Sequence, residues 1–381
     1  MIQRQAAVTL RYLATQFRVI AVIGPRQSGK TTLVRMIFPD KSYVNFENPD
    51  IRNFALEDPR GFLSNYPDGA IFDEVQRVPL LFSYLQQIVD EKNKNGMFIL
   101  TGSNNFLWQE SITQSLAGRV GYLQLLPLCI DEIGDSDHSV EDYIYKGGYP
   151  ALYDEGKDVK LWMDNYIRTY IERDVRQLKN ITDLITFERF IRLCAGRTGQ
   201  LLNKSSLSTE CGIDNKTVEA WLSVLEASFV IFRLQPYHRN YNKRVVKMPK
   251  LYFYDTGLAT NLLGIQKADQ LILHPFRGAL FENMVIVELL KQRWNKAKPD
   301  NLYFWRDNAG HEMDVIMENA GEVKPVEIKS GKTITTAYFK GLLYWHHLTD
   351  STGGLVIYAG DLIQKRSQDI EIRPYYSLLD V

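Results

Sequence analysis

The sequence predicts an α/β protein of several domains, and three observations carry that prediction. Near the amino terminus an apolar stretch, Arg18-Val19-Ile20-Ala21-Val22-Ile23, runs through a glycine-bounded turn into the helical continuation Thr32-Leu33-Val34-Arg35-Met36-Ile37. The middle alternates helical periodicity with turn residues. The last third sets a long helical stripe before two alternating strands. At 381 residues the chain exceeds what one hydrophobic core serves. The expected division is a parallel-sheet core over 1–150, a helical lid or linker over 151–200, a winged helix-turn-helix over 201–260 and a second α/β domain over 261–381.

Composition excludes some functions. The chain is 45% apolar and 24% charged with a formal net charge of zero, so no global field draws it onto nucleic acid or anionic lipid, and any such contact must be local. The three cysteines, Cys129, Cys194 and Cys211, are scattered without ligand spacing, which suits a reducing compartment and argues against zinc. No apolar run is long enough to span a membrane, and the first residues lack the apolar core of a signal peptide. The expectation is a cytoplasmic protein without a membrane partner.

The turn Gly24-Pro25-Arg26-Gln27-Ser28-Gly29-Lys30-Thr31 fits G-x-x-x-x-G-K-[ST] without mismatch, between a strand and a helix as the motif requires. Gly24 and Gly29 let the backbone wrap so that successive N–H groups face phosphate oxygens, and the helix that follows, through Thr32, adds favourable potential for an anion. Lys30 is placed to reach β/γ phosphates and Thr31 to hold Mg²⁺. A second strand, Ala70-Ile71-Phe72-Asp73-Glu74-Val75, supplies Asp73 for the metal and Glu74 to polarise an attacking water. A third, Met97-Phe98-Ile99-Leu100-Thr101-Gly102, exits on Ser103 and Asn104, either of which could bond a γ-phosphate or the water.

In this order residues ~15–130 resemble the core of an AAA-type ATPase. The resemblance implies ATP and Mg²⁺ as cofactors and places the Ser103-Asn104 strand between the P-loop strand and the Asp73-Glu74 strand. Within Ser115-Leu116-Ala117-Gly118-Arg119-Val120, Arg119 sits where such ATPases often keep an arginine that senses nucleotide, in cis or from a neighbour. The alternative is a surface arginine at a helix end. Such relatives often form rings, so a homo-oligomer is allowed, as is a monomer.

Gly147-Gly148-Tyr149-Pro150 marks the edge of this core. Trp162, Tyr166, Ile167, Tyr170 and Ile171 then recur at one-turn spacing. Glu172-Arg173-Asp174 within that pattern reads as an ion-paired helix face. From Leu201 to Leu234 the pattern is helix-turn-helix: Ser206 or Ser205 starts one helix, Gly212 turns, Asp214 or Asn215 caps a second, and Phe229–Leu234 is a strand. Between Ala227 and Tyr254 there is no acidic residue, while Arg233, Arg239, Lys243, Arg244, Lys247 and Lys250 lie among Tyr237, His238 and Tyr241. That is a candidate duplex-backbone contact, with DNA the expected partner; the alternative is a protein-contact module.

In the closing third, Glu282 shares a helical stripe with Val285, Ile286 and Leu289, where a carboxylate is costly without a partner. Asp314 opposes Met313, Val315 and Met317 on one strand, and Glu327 and Lys329 share a face of the next, Val323–Lys329. A helix carboxylate, a strand aspartate and then Glu-x-Lys resemble the PD-(D/E)XK nuclease core. That resemblance implies Mg²⁺ on Asp314 and Glu327, Glu282 joining through water, and Lys329 orienting or deprotonating the attacking water. Ala337–His346 and Gly354–Tyr358 fit the αβ continuation of that fold, and His311, His346 and His347 show no metal spacing.

Nearly the whole chain is similar to one prokaryotic family of ATP-binding proteins, an AAA-type domain followed by a carboxy-terminal domain of unknown function. The residues that carry the likeness are Tyr170-Ile171-Glu172-Arg173-Asp174-Val175, Phe253-Tyr254-Asp255-Thr256-Gly257-Leu258 and the helix start Gly278–Glu282. The expected activity is ATP hydrolysis coupled to Mg²⁺-dependent DNA cleavage. The alternative is a nucleotide-dependent switch whose nuclease-like domain is inactive and binds a partner or nucleic acid.

Overall fold

A computed structural model describes residues 2–103, 115–134, 138–171, 183–238 and 246–378. A first helix, α1 (Ala6–Gln16), leads into β1 (Val19–Ile23), every residue of which is buried. Then follow α2 (Lys30–Ile37), β2 (Ser42–Asn45), α3 (Pro49–Glu57), α4 (Pro59–Ser64), β3 (Ala70–Asp73), α5 (Leu81–Lys92), β4 (Phe98–Gly102) and β5 (Val120–Gln124). These strands form one parallel five-stranded sheet in the order β2-β3-β4-β1-β5. The Ser103 strand therefore lies between the P-loop strand and the Asp73 strand, as the resemblance implied. Near-continuous apolar strands suit a sheet covered on both faces.

Past the sheet, the short helix α6 (Ile130–Ile133) precedes α7 (Val140–Lys146), α8 (Ala151–Asp154) and α9 (Val159–Tyr166). The chain then widens into a π-helical turn over Ile167–Ile171. Further on, α10 (Leu184–Ala195), α11 (Lys204–Cys211) and α12 (Asn215–Ala227) pack together. Gly212 makes the turn in a left-handed conformation, φ 70°. Asp214 caps α12 by accepting from Lys216 N and Thr217 N. The cap of α11 is Asn203, not Ser205 or Ser206: its side chain accepts from Ser206 N.

The last elements are β6 (Ile231–Pro236), β7 (Lys250–Phe253), α13 (Thr256–Leu262), α14 (Arg277–Asn295), β8 (Leu302–Arg306), β9 (Glu312–Asn319), β10 (Glu322–Lys329), α15 (Lys340–Thr349), β11 (Gly354–Tyr358), β12 (Gln364–Lys365) and β13 (Ile370–Pro374). They form an eight-stranded mixed sheet, β12-β13-β11-β10-β9-β8-β6-β7. Strand β10 runs antiparallel to β9 and parallel to β11, with α15 as the crossover. The β6–β7 hairpin that follows the helix pair joins this sheet through β8, pairing Gln235 with Tyr303 and Pro236 with Phe304. The sheet thus runs across the division expected at residue 260.

Two members of the basic run of the middle segment, Arg233 and Lys250, are engaged inside the protein. Arg233 lies against α12, donating to Glu226 at 2.7 Å and Glu219 at 2.8 Å. Lys250 is buried and paired inside the protein. Tyr237 is buried, while His238 and Lys247 are exposed. Alternation along β6 and β7 sends neighbouring residues to opposite faces, and it turns Arg233 and Lys250 toward acidic partners. Arg239, Tyr241, Lys243 and Arg244 lie outside the described residues, as do Asn104 and Glu172-Arg173-Asp174-Val175.

Candidate functional sites

At the carboxyl end of β1 the chain turns through the motif 24–31. Gly24 is obligatory for space: a Cβ there would stand 2.1 Å from Leu125 O. Gly29 is obligatory for conformation, with φ 89° as the residue before α2. Lys30 opens α2, and its buried ammonium donates to Gly24 O at 3.0 Å and Pro25 O at 2.7 Å. Thr31 Oγ1 donates to Asp73 Oδ2 at 2.8 Å, so loop and acidic strand meet as the motif requires. Asp73 also accepts from Tyr43 OH at 2.7 Å and from Thr101 Oγ1. Burial and this bond to Asp73 push the Tyr43 phenol pKa upward, keeping it a neutral donor.

Glu74 has a left-handed backbone, φ 54°, which costs a non-glycine residue roughly 1–2 kcal/mol. The turn puts Glu74 on the wall of a cleft of about 530 Å³ shared with Arg26, Gln27, Lys30, Thr31 and Asp73. Thr32 and Gly29 line it too. Ser103 Oγ donates to Glu74 Oε2 at 3.3 Å, and Gln76 bonds the same oxygen. Ser28 is fully buried and its hydroxyl lacks a protein partner in the loop. A hydroxyl beside a carboxylate is a donor set that fits Mg²⁺, and a wrapped loop with an orphaned polar atom fits a phosphate.

Arg119 is the expected residue that the fold sends elsewhere. It precedes β5, whose Val120 pairs with Val19 at the start of β1. The loop follows Ile23 at the other end of that five-residue strand, about 15 Å away at 3.3 Å per residue. Arg119 there grips Asp90 with Nε and Nη2, both at 2.7 Å. A contribution to its own chain's cleft is thereby excluded by sheet geometry.

Three residues of this site carried no sequence signal: Tyr43, Thr101 and Arg4. Arg4 is buried, donating to Ser28 O and Leu126 O at 2.7 Å each and pairing with Glu132 at 3.1 Å. Its partners lie 24 to 128 positions away, beyond the reach of any periodicity.

A second cluster forms where α14, β7, β9 and β10 meet. Asp314 Oδ2 accepts from Ile328 N at 2.7 Å. Lys329 Nζ stands 3.5 Å from Asp314 and 3.3 Å from Glu327. Burial and the charge of Asp314 push the Glu327 carboxyl up to about 9, with Lys329 offsetting part of this. Burial disfavours the charge on Lys329, but Asp314 and Glu327 raise its pKa overall. The α15 backbone lies hard against the site: a Cβ on Gly341 would stand 2.4 Å from Glu327 Oε1.

Glu282, whose place on an apolar stripe demanded a partner, finds Lys250 at 3.0 Å and the Tyr252 hydroxyl. Burial raises its pKa, with Lys250 pulling down and Asp314 pushing up. Lys250 also pairs with Glu312, which Arg306 reaches at 3.1 Å. The oxygen donors suit a hard cation. Among the described residues, however, no three His, Cys, Asp or Glu side chains close round one point in a metal-holding group. Lysine ammonium groups supply the positive charge instead.

The loop, the strand order and the Thr31–Asp73 contact define a P-loop protein of the AAA class, and residues 16–134 match the AAA domain family. Residues 137–269 and 277–378 match two domains of unknown function, DUF8612 and DUF4143. The uncharacterized protein Rv2008c of Mycobacterium tuberculosis is 32% identical over 335 residues, 87% of this chain and 74% of that protein. Mb2031c of Mycobacterium bovis gives the same figures. The chain belongs to the family of these mycobacterial proteins. Among solved structures, the Walker-type ATPase PABY2304 of Pyrococcus abyssi aligns over 69% of this chain and 96% of its own at 14% identity, TM-score 0.46. AMPPCP-bound DnaA from Aquifex aeolicus covers 58% and 85% at 11% identity, TM-score 0.29. No helix among the described residues is long and apolar enough to cross a membrane.

Proposed function

We propose that this protein binds and hydrolyses ATP and that its nucleotide state governs a carboxy-terminal domain acting on DNA. The observation that carries the first half is the contact of Thr31 with Asp73 beside Lys30 and Glu74 in one cleft. Backbone N–H groups of Gly24 and 26–30 and the Lys30 ammonium would hold the phosphates; Thr31 and Asp73 would hold Mg²⁺, which would supply charge neutralisation on them. Glu74, fixed by Ser103 and Gln76, orients the attacking water and takes its proton.

The second half rests on Lys329 lying 3.5 Å from Asp314 and 3.3 Å from Glu327, with Glu282 on the adjoining helix. In this reading Lys329 orients the water and the carboxylates are the ligands of a cation, with a Mg²⁺-dependent nuclease as the result. One observation favours a second reading: Lys250 ties down Glu282 and Glu312, and no three carboxylates close round a point among the described residues. The protein is then a nucleotide-dependent switch whose nuclease-like domain binds a partner or nucleic acid without cleaving it. The deciding experiment is cleavage of plasmid and linear DNA in Mg²⁺, with and without ATP, for the wild type beside Glu327→Ala. Cleavage lost in the variant supports the nuclease; intact DNA with normal ATP turnover rejects it in favour of the switch.

A further inference from the structure

Among the charges that helix α14 buries, Glu288 and Lys291 form a pair that neither site uses. Glu288 and Lys291 are 5% and 6% exposed and pair at 2.7 Å. An ion pair at such depth is a poor stabiliser, because apolar residues of similar volume serve as well or better. Their remaining valences go to backbone groups of one segment: Glu288 Oε2 accepts from Ile130 N at 2.9 Å, and Lys291 Nζ donates to Leu128 O at 2.8 Å.

That segment, residues 125–132, leaves β5 along the phosphate-binding loop and is fastened to it three times. Leu125 N donates to Ile23 O at 2.8 Å. Leu125 O lies so close to Gly24 that no side chain fits there. Arg4 bridges Ser28 O to Leu126 O and to Glu132, which in turn accepts from Cys129 N at 3.0 Å. At the far side, α14 is a 19-residue helix, about 28 Å long at 1.5 Å per residue. Its first turn carries Arg277, which donates to Ser330 O at 2.6 Å, directly after Lys329, and to Glu141 at 2.7 Å. One turn on stands Glu282.

We propose that residues 125–132, locked to α14 by the Glu288–Lys291 pair, transmit occupancy of the nucleotide cleft to the Glu282/Asp314/Glu327 cluster. The proposal rests on the reading that the loop binds ATP. The loop has no slack against Leu125 and Arg4, so a change in its path moves the segment. The two backbone bonds pass that movement to α14, a rigid body with both the helix carboxylate and the anchor of the Glu327 strand at its leading end.

The test is amide hydrogen exchange on the full chain with and without Mg²⁺ and a slowly hydrolysed ATP analogue, with nucleotide affinity measured on the same samples by a fluorescent analogue. In the wild type, nucleotide should change exchange in peptides spanning 277–295 and 322–330 by about 5-fold or more, the lower end of ordinary coupling. In Glu288→Leu/Lys291→Leu the affinity should stay within twofold, while the change is confined to residues before 134. Glu288→Met/Lys291→Met, which keeps both stems and leaves no unpaired buried charge, serves if the leucine variant does not fold and should show the same confinement. Wild-type nucleotide binding without any change beyond residue 276, or full transmission in the variants, overturns the inference and leaves ATP binding standing. Absence of nucleotide binding in the wild type overturns both.

Discussion

Replacing Lys250 with methionine isolates the balance of charge in the carboxy-terminal cluster. Lys250 is 3% exposed and lies on Glu282 at 3.0 Å and on Glu312. Methionine keeps the stem and removes the ammonium, leaving two carboxylates near Asp314, with Arg306 still reaching Glu312. Breaking a buried pair from one side costs about 3–5 kcal/mol. At roughly 2–4 °C per kcal/mol for a unit of 150–250 residues, the carboxy-terminal unfolding transition should fall by about 6–20 °C at pH 7.5 in chelator. The pH dependence has a definite sign. Glu282 already titrates above its ordinary 4.5 because it is buried, and without Lys250 it rises further. A carboxyl raised in the folded state costs nothing below its unfolded pKa and destabilises progressively as pH climbs toward the folded one. The deficit of the variant should therefore shrink between pH 7.5 and pH 5. Scanning calorimetry of both proteins at the two pH values is the assay. A midpoint within about 2 °C of wild type at pH 7.5, well short of the expected range, or a deficit that does not change with pH, would refute the reasoning.

Other expectations are simpler. Lys30→Ala should abolish ATP binding or turnover with an unchanged circular dichroism spectrum; unimpaired turnover would remove the P-loop assignment. Glu74→Gln should keep ATP binding and lower hydrolysis by roughly 10²–10⁴, the usual value of a positioned base, read by phosphate release. Glu327→Ala should remove any DNA cleavage and spare ATP hydrolysis, each measured on one preparation. Arg119→Ala should leave hydrolysis within about twofold at high dilution, since an exposed pair with Asp90 is worth little; a large loss there would restore a role in its own cleft, and a loss confined to high protein concentration would mean that Arg119 serves a neighbouring copy.

The legible part of this chain was whatever depends on near neighbours. A strand, a wrapped turn and a helix lie within some twenty residues, so Gly24 to Thr31 announce themselves, and the acidic strand is a short apolar run that ends in two carboxylates. Glu282, Asp314, Glu327 and Lys329 were legible for a related reason: each breaks or obeys a period of its own element. Arg4, Tyr43 and Thr101 were not, because their role is fixed only when distant strands align. The basic run from Arg233 to Lys250 was legible only as a run: two of its members, Arg233 and Lys250, neutralise acids rather than face solvent, which alternation along a strand does not announce. The choice among the readings of Arg119 was illegible for a complementary reason, since nothing in a local motif says which end of a parallel strand it will occupy.

The join of β6 to β8 bears on how this chain can be divided. The matched families place a boundary between residues 269 and 277, yet Gln235 and Pro236 depend on Tyr303 and Phe304 for their outer bonds. A fragment ending at residue 269 would carry a strand with one bare margin, beside the apolar surface that α14 now covers. A bare margin of that kind recruits other chains. Fragments cut at the family boundary should precipitate or pair with one another, whereas a cut placed before residue 184 keeps every strand of the larger sheet with its neighbours.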